Sequence, residues 1–326
     1  MCCLFGILDY KQNLSLAQKN QLLRKLSIAS EKRGTDAIGI AYNRNGHMEI
    51  HKKPLPAHKF HLKIPYDVNV VMGHTRMTTQ GNEKYNYNNH PFRGYCKDVP
   101  FSLAHNGVLY NEQKLRRDFL LPKTKIETDS YVAVQMIEKT GAFTLKAIQT
   151  MAEEVEGSFC FTLLDRQNNL YLVKGNNPLT VYHFAELGFY IYASTEDILK
   201  RGLKKAGFGN LPFKEIEIRM GDILILQADG RIQRETFQPK QSYYRNFCFD
   251  SCGSYMPYLS RHTTHSDLCS SYLESLIEYA ANVGISETEI LCLYENGFQE
   301  EEIEILLASP KILQEYAEEL MEVGFV

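Results

Sequence analysis

The 326-residue sequence predicts an α+β fold, with a two-layer β-rich body flanked by helices over residues 1–240 and an α-helical tail over 241–326. Three observations predict it. Short runs of β-branched and aromatic residues, separated by turn residues, dominate the first 240 positions. Apolar residues at three- and four-residue spacing occur there in only a few segments. Beyond Gln241 the pattern becomes short helical stretches punctuated by Gly or Pro.

Taken in order, CLFGILDY reads as a strand just inside the terminus. LSLAQKNQLLRKLSIASEKRG carries Leu16, Leu22, Leu23, Leu26 and Ile28 on helical spacing and predicts a helix stopped at Gly34. AIGIAYN, HMEIHKK and VNVVMGHTR are strands, and QGNEKYNYNNHPF is rich in Gly and Asn and must be loop. FSLAHNGVLYN reads as strand, turn, strand, because Asn-Gly is a common hairpin turn. TDSYVAVQMIEKTG predicts a helix capped by Thr128 and Asp129 and closed at Gly141, and FTLKAIQTMAEEVEG a second. SFCFTLLD, LYLVKG, TVYHF, FYIYAS and GDILILQ then follow as strands. In the tail, four helices are expected within residues 266–324, and GISETEILCLYENGF and GFQEEEIEILL resemble each other as a duplicated turn unit.

Composition narrows the class. The chain is 44% hydrophobic and 23% charged, ordinary values for a globular protein. No apolar run approaches the roughly 20 residues of a membrane helix, and no secretory pattern opens the sequence, so a cytoplasmic setting without membrane contact is expected. Eight irregularly spaced cysteines fit a reducing compartment better than a disulfide framework. The net charge of -3 hides an asymmetry: residues 267–326 hold 14 of the 39 acidic residues but one of the 36 basic ones, leaving 25 against 35, or +10, for residues 1–266. That acidic tail reads either as a solvated helical face or as a docking surface for the basic body or a partner. Lys and Arg are otherwise evenly spread, and no DNA-reading helix is evident, so no nucleic-acid partner is expected.

The opening MCCLFG poses the chemical question. A cysteine exposed at the mature amino terminus by removal of Met1 can attack a carboxamide with its thiolate. Its own α-amine, with an ordinary pKa of about 7.7–8.0, can carry the proton. Such a site also needs fixed donors for the oxyanion, and an amino-acid substrate needs a cation for its carboxylate and an anion for its ammonium. Arg76, Asn106 with Gly107, and Asp129 are residues of the right type for these roles. Singly, each has a plainer reading: a surface ion pair, a hairpin turn, a helix cap. Cys248, Cys252, His262, His265 and Cys269 lie close enough in sequence for a zinc site, but the C-x3-C, H-x2-H spacing is looser than finger patterns. Ordinary buried cysteines and surface histidines are the plainer reading there, and neither a metal nor another cofactor is expected.

Together, MCCLFG, KRGTDAIGIA, GHTRMTTQGN, NNHPF, LAHNGVLYNEQKLR, TDSYV, GSFCFTLLD and YIYASTEDIL resemble, in order and rough spacing, the class II glutamine amidotransferases. The resemblance covers about residues 2–240, and KRGTDAIGI looks most like the amidophosphoribosyltransferase version. It implies a four-layer αββα N-terminal nucleophile hydrolase sandwich, and an enzyme that hydrolyses the side-chain amide of glutamine through a cysteine thioester. It further implies Cys2 as nucleophile, Asn106 and Gly107 as oxyanion hole, Arg76 and Asp129 as binders of the substrate carboxylate and ammonium, and Arg33 as support. Cys3 stands where the family usually has glycine and is expected to be a packed residue. His74 and His105 are expected to be structural hydrogen-bonders, and residues 77–80 to flank the pocket. The acceptor domains typical of the family are not recognisable after residue 240, so an acceptor-domain partner in trans is expected. Two alternatives share the sequence: an amidase acting on a γ-glutamyl or related amide, and a non-catalytic assembly subunit working through its acidic tail.

Overall fold

The computed structural model describes residues 2–239 and, in the C-terminal part, residues 273, 276, 277, 280, 281, 283–296, 298, 300–307 and 310–323. The chain divides into two compact units, Met1–Cys248 and Phe249–Val326.

Among the described residues of the first unit, thirteen strands form two antiparallel sheets. They are β1 (Cys3–Asp9), β2 (Ala37–Arg44), β3 (His47–Lys53), β4 (Val70–Arg76), β5 (Phe92–Cys96), β6 (Val99–Leu109), β7 (Gly157–Leu164), β8 (Leu170–Lys174), β9 (Thr180–Phe184), β10 (Phe189–Ala193), β11 (Lys214–Glu215), β12 (Asp222–Leu226) and β13 (Ile232–Thr236). One sheet runs β11-β9-β10-β1-β4-β2-β3 and the other β13-β12-β8-β7-β6-β5. The helices are α1 (Leu16–Ala29), α2 (Glu112–Asp118), α3 (Tyr131–Lys139), α4 (Leu145–Glu154) and α5 (Glu196–Lys205).

Three apolar layers hold these pieces in the order helix, sheet, sheet, helix. Leu22, Leu23 and Leu26 of α1 and Ile198, Leu199 and Leu203 of α5 pack with Phe5, Ile7, Ile40 and Ile191 of the first sheet. Leu4, Leu8, Met72, Ala104, Leu164, Leu172, Tyr192 and Leu224 fill the space between the sheets. Phe101, Leu103, Phe161 and Val173 of the second sheet meet Val132, Met136, Ile148 and Met151 of α3 and α4. The fold is therefore the four-layer αββα sandwich. A strand buried on both faces has no polar side to show, which is why CLFGILD is continuously apolar; Leu4, Phe5, Ile7 and Leu8 are fully buried, each contributing about 1.5–3 kcal/mol.

Three expectations differ in detail. Helix α1 opens on a capping box, in which Ser15 Oγ accepts from Gln18 N and Gln18 Oε1 from Ser15 N, but it ends at Ala29 and passes into a 3-10 turn, Ser30–Arg33. Gly34 is extended, with φ 175°. It is required for close approach instead: a Cβ there would stand 2.5 Å from the Arg76 carbonyl carbon and 2.7 Å from Met77 N. Asn106 and Gly107 make no turn and lie inside the 11-residue strand β6, because their register against β7 continues unbroken from Ser102↔Leu164 to Leu109↔Gly157. The cap of α3 is Ser130, without a side-chain cap bond, since the Asp129 carboxylate is engaged elsewhere.

In the second unit, α6 (Glu287–Glu295), α7 (Glu300–Leu307) and α8 (Pro310–Val323) enclose a small core of Ile290, Leu293, Ile303, Leu307 and Leu313. Ser286 and Glu289 form a capping box at the start of α6. No helix among the described residues is long and apolar enough to cross a membrane.

Candidate active site

The start of β1 lies beside the end of β4, with Cys3 opposite Thr75, so Cys2 and Arg76 are brought to the same end of the sandwich. The KRGTD segment locks this corner. Arg33 Nε donates to Cys2 O at 2.9 Å, Asp36 N to Arg76 O at 3.0 Å, and Asp36 Oδ2 accepts from Thr78 N at 2.6 Å. Gly34 lies directly on the Arg76–Met77 backbone. Arg33 thus fixes the backbone of the cysteine without lining the cavity.

That cavity, of about 240 Å³, is lined by Cys2, Arg76, Met77, Thr79, Gln80, His90, His105, Gly107, Thr128, Asp129 and Ser130. The Cys2 thiol donates to Met77 O at 3.5 Å. Burial pushes this thiol up, opposed by the positive charges of the chain terminus, Arg76 and Arg33 and by the Met77 contact. Cys3, its neighbour, is fully buried in the helix-facing core and is part of the packing.

Arg76 is 3% exposed. Its Nη1 donates to Asn89 Oδ1 at 2.7 Å, and its Nη2 to the carbonyls of Gln80 at 2.5 Å and Gly81 at 3.2 Å. Burial pulls the guanidinium down, while Cys2, Asp36, Glu83 and Asp129 pull it back up. Asp129 reaches across to β6: its Oδ2 accepts from Leu109 N at 2.6 Å and its Oδ1 from Ser130 Oγ at 3.2 Å. Its own N–H donates to Gln80 Oε1 at 3.2 Å. A cation and an anion, both fixed by the fold, therefore share one wall with the thiol.

Gly107 lines the cavity with φ +136°, and a Cβ there would meet Ser158 O at 2.0 Å. Asn106, which projects from the opposite face of β6, is not among the cavity-lining residues. Its Nδ2 contacts Ser194 Oγ at 3.5 Å, the same hydroxyl that accepts from Leu4 N at 2.8 Å. Its carbonyl accepts from Asn177 Nδ2 at 2.8 Å.

Three imidazoles pack around the site. His74 Nε2 lies 3.0 Å from His105 O, His105 Nδ1 2.8 Å from Ser130 Oγ, and the His74 and His90 rings are 4.3 Å apart. Burial lowers His74 to about 3, His90 well below its ordinary value, and His105 likewise, so all three are neutral near pH 7. Neither ring nitrogen of His90 meets a polar partner among the described residues.

Sequence reasoning placed Gln80 in the stretch flanking the pocket but did not single out Asn89, His90, Thr128, Ser130, Asn177 or Ser194 as members of this network. For all but Asn177 the only signal was membership of the quoted NNHPF, TDSYV and YIYAST segments, and Asn177 lies in none of them. The Cys248, Cys252, His262, His265, Cys269 set lies outside the described residues. Among those described, no group of three or more His, Cys, Asp or Glu is arranged to hold a metal.

Residues 74–201 match the family model described as a glutamine amidotransferase domain. The chain carries a glutamine amidotransferase domain. The chain is 29% identical over 248 residues to the glutamine–fructose-6-phosphate aminotransferase (isomerizing) of Staphylococcus aureus, covering 73% of this chain and 39% of that protein. It is 31% identical over 189 residues to the enzyme of the same name from Geobacillus kaustophilus, covering 56% and 30%. The chain thus spans about two fifths or less of the curated relatives it matches. The fold is shared with the glutamine phosphoribosylpyrophosphate amidotransferase of B. subtilis, at TM-score 0.57 and 20% identity, covering 73% of this chain and 49% of that one. An allosteric regulatory enzyme of purine biosynthesis has the same coverage, with TM-score 0.58 and 21% identity.

Proposed function

We propose that the amidotransferase domain hydrolyses the side-chain amide of glutamine through a thioester on Cys2, yielding glutamate and ammonia. The observation that carries this reading is the convergence of Cys2, Arg76, Gly107 and Asp129 on one cavity of about 240 Å³.

In this reading Arg76 grips the α-carboxylate with the face of its fork turned to the cavity, and Asp129 takes the α-ammonium. The side-chain amide then points at the cysteine. With Met1 removed, the α-amine of Cys2 accepts the thiol proton. The sulfur attacks the amide carbon, and the developing oxyanion is met by the Gly107 N–H, the Asn106 side chain lying on the other face of β6 against Ser194 Oγ. The amine returns its proton to the departing ammonia, and water then hydrolyses the thioester to glutamate. Arg33 keeps the Cys2 backbone in place through its bond to Cys2 O.

Residues 1–240 constitute the glutaminase domain in this proposal and 241–326 an acidic helical extension. The ammonia serves an acceptor held by a second catalytic domain, on a partner protein in trans. A reducing, cytoplasmic setting suits a thiol nucleophile accompanied by Cys3, Cys96 and Cys160, none of them in a disulfide. The test is glutamine turnover in two variants. Cys2→Ser abolishes glutamate release and Cys3→Ala largely keeps it; equal loss in both, or no loss in Cys2→Ser, refutes the assignment.

A further inference from the structure

Outside the residues assigned above, a half-buried cation touches the site only through another residue. Lys52 on β3 is paired with Gly39 on β2. A Cβ at Gly39 would stand 2.1 Å from His90 O and 2.8 Å from Pro91 Cδ, so segment 89–91 rests directly on the strand at a place only glycine allows. Lys52 Nζ grips the same segment from the side, donating to Asn89 O at 2.5 Å and Pro91 O at 3.1 Å. It also lies 5.2 Å from the centre of the Phe92 ring. The held segment delivers one group to the cavity and one to Arg76. The first is the His90 ring, which lines the cavity. The other is the fully buried Asn89 side chain, whose Oδ1 accepts from Arg76 Nη1 at 2.7 Å while its Nδ2 donates to Glu83 O at 2.7 Å.

We infer that Lys52 is a positioning residue for glutamine capture, holding Asn89 against the Arg76 guanidinium so that the fork is set for the substrate carboxylate. This inference rests on the glutaminase reading above. Without the ammonium, two backbone carbonyls lose a charged donor, the segment is free to lift from Gly39, and Arg76 loses one of its three anchors. The capture step suffers, while Cys2 and the oxyanion donor are untouched.

The charge itself is tunable. Burial, reinforced by the positive charges of Arg76 on β4 and Arg93 on β5, pulls Lys52 down to about 8. The other titratable groups that bear on it, His74 and His90, are already neutral well below that pH. Lys52 therefore loses its charge as pH rises through about 8, and glutamine capture weakens with it. An arginine at this position keeps its charge across that range.

The experiment measures KM and kcat for glutamine in wild type, Lys52→Met and Lys52→Arg from pH 7 to 9. Lys52→Met is expected to raise KM about tenfold at pH 7 with kcat within twofold, the pattern of lost uniform binding. Lys52→Arg is expected to keep the neutral-pH KM and to lack the wild type's added KM rise above pH 8. The substrate's own ammonium titrates identically in every variant, so the difference between variants isolates Lys52. A wild-type KM in Lys52→Met, or an alkaline KM rise in Lys52→Arg equal to that of wild type, overturns the inference. If Lys52→Met does not fold, wild type against Lys52→Arg decides. Wild-type protein without glutamine turnover refutes the glutaminase reading itself, a result distinguishable from either.

Discussion

Replacing Asp129 by asparagine separates substrate recognition from fold. The Asp129 side chain is 4% exposed and holds Leu109 N at 2.6 Å and Ser130 Oγ at 3.2 Å. Asparagine keeps one oxygen for Leu109 N, and its new amide N–H can donate to the Ser130 hydroxyl, which accepts as readily as it donates. The local structure therefore survives, but the negative charge proposed to pair with the substrate ammonium is gone. A hydrogen bond to a charged group contributes about 1.5–3 kcal/mol, which at roughly 1.4 kcal/mol per decade is about 10- to 160-fold in kcat/KM. Asp129→Ala serves as the contrast. It leaves Leu109 N–H buried without an acceptor, so it adds a stability loss of about 1–3 kcal/mol. The assay is glutamate release over a glutamine concentration series, with thermal melts of the same preparations. A kcat/KM for Asp129→Asn within twofold of wild type would refute the role of this carboxylate in the cradle.

Two further outcomes follow from the same geometry. Gly107→Ala drives a Cβ to 2.0 Å from Ser158 O at a φ of +136°, combining overpacking with backbone strain of about 1–3 kcal/mol each; calorimetry should show a clear drop in melting temperature, and an unchanged midpoint contradicts the strained placement. His74, at about 3 in the fold, lies below its ordinary unfolded value of about 6.5, so the unfolded chain binds more protons between those limits. Stability is then complete above about pH 6.5 and is lost as pH falls, with His90 and His105 acting in the same direction. Melting temperatures from pH 7 to 4 should fall in wild type and fall less steeply in His74→Gln; identical slopes contradict the assignment.

Much of the layer order was legible because strands buried on both faces write themselves as unbroken apolar runs, as in CLFGILD and SFCFTLLD. The helices α1, α3 and α4 were legible from apolar spacing. What misled was local chemistry overruled by tertiary contacts. Asn106-Gly107 carries a turn signal, yet β7 pairs with β6 straight through it. Asp129 looks like a cap, yet its carboxylate is claimed by Leu109 N twenty residues away. Gly34 looks like a helix stop, yet its service is to let Arg76 and Met77 pass. The principal site residues were legible only as a set, since Cys2, Arg76, Gly107 and Asp129 come from four separate segments. The supporting contacts of Asn89, Ser194 and Lys52 were not, because asparagine, serine and lysine carry no pattern that distinguishes an anchor from a surface residue.

The decisive measurement is the identity of the reactive atom. The purified protein is incubated with a diazoketone analogue of glutamine, which alkylates a nucleophile seated in the amino-acid cradle, and the product is mapped by peptide mass spectrometry. The result expected is a single adduct on Cys2 of a chain that has lost Met1, suppressed by excess glutamine. An adduct on Cys3 or another cysteine with Cys2 unmodified, or a mature chain that retains Met1, would contradict it.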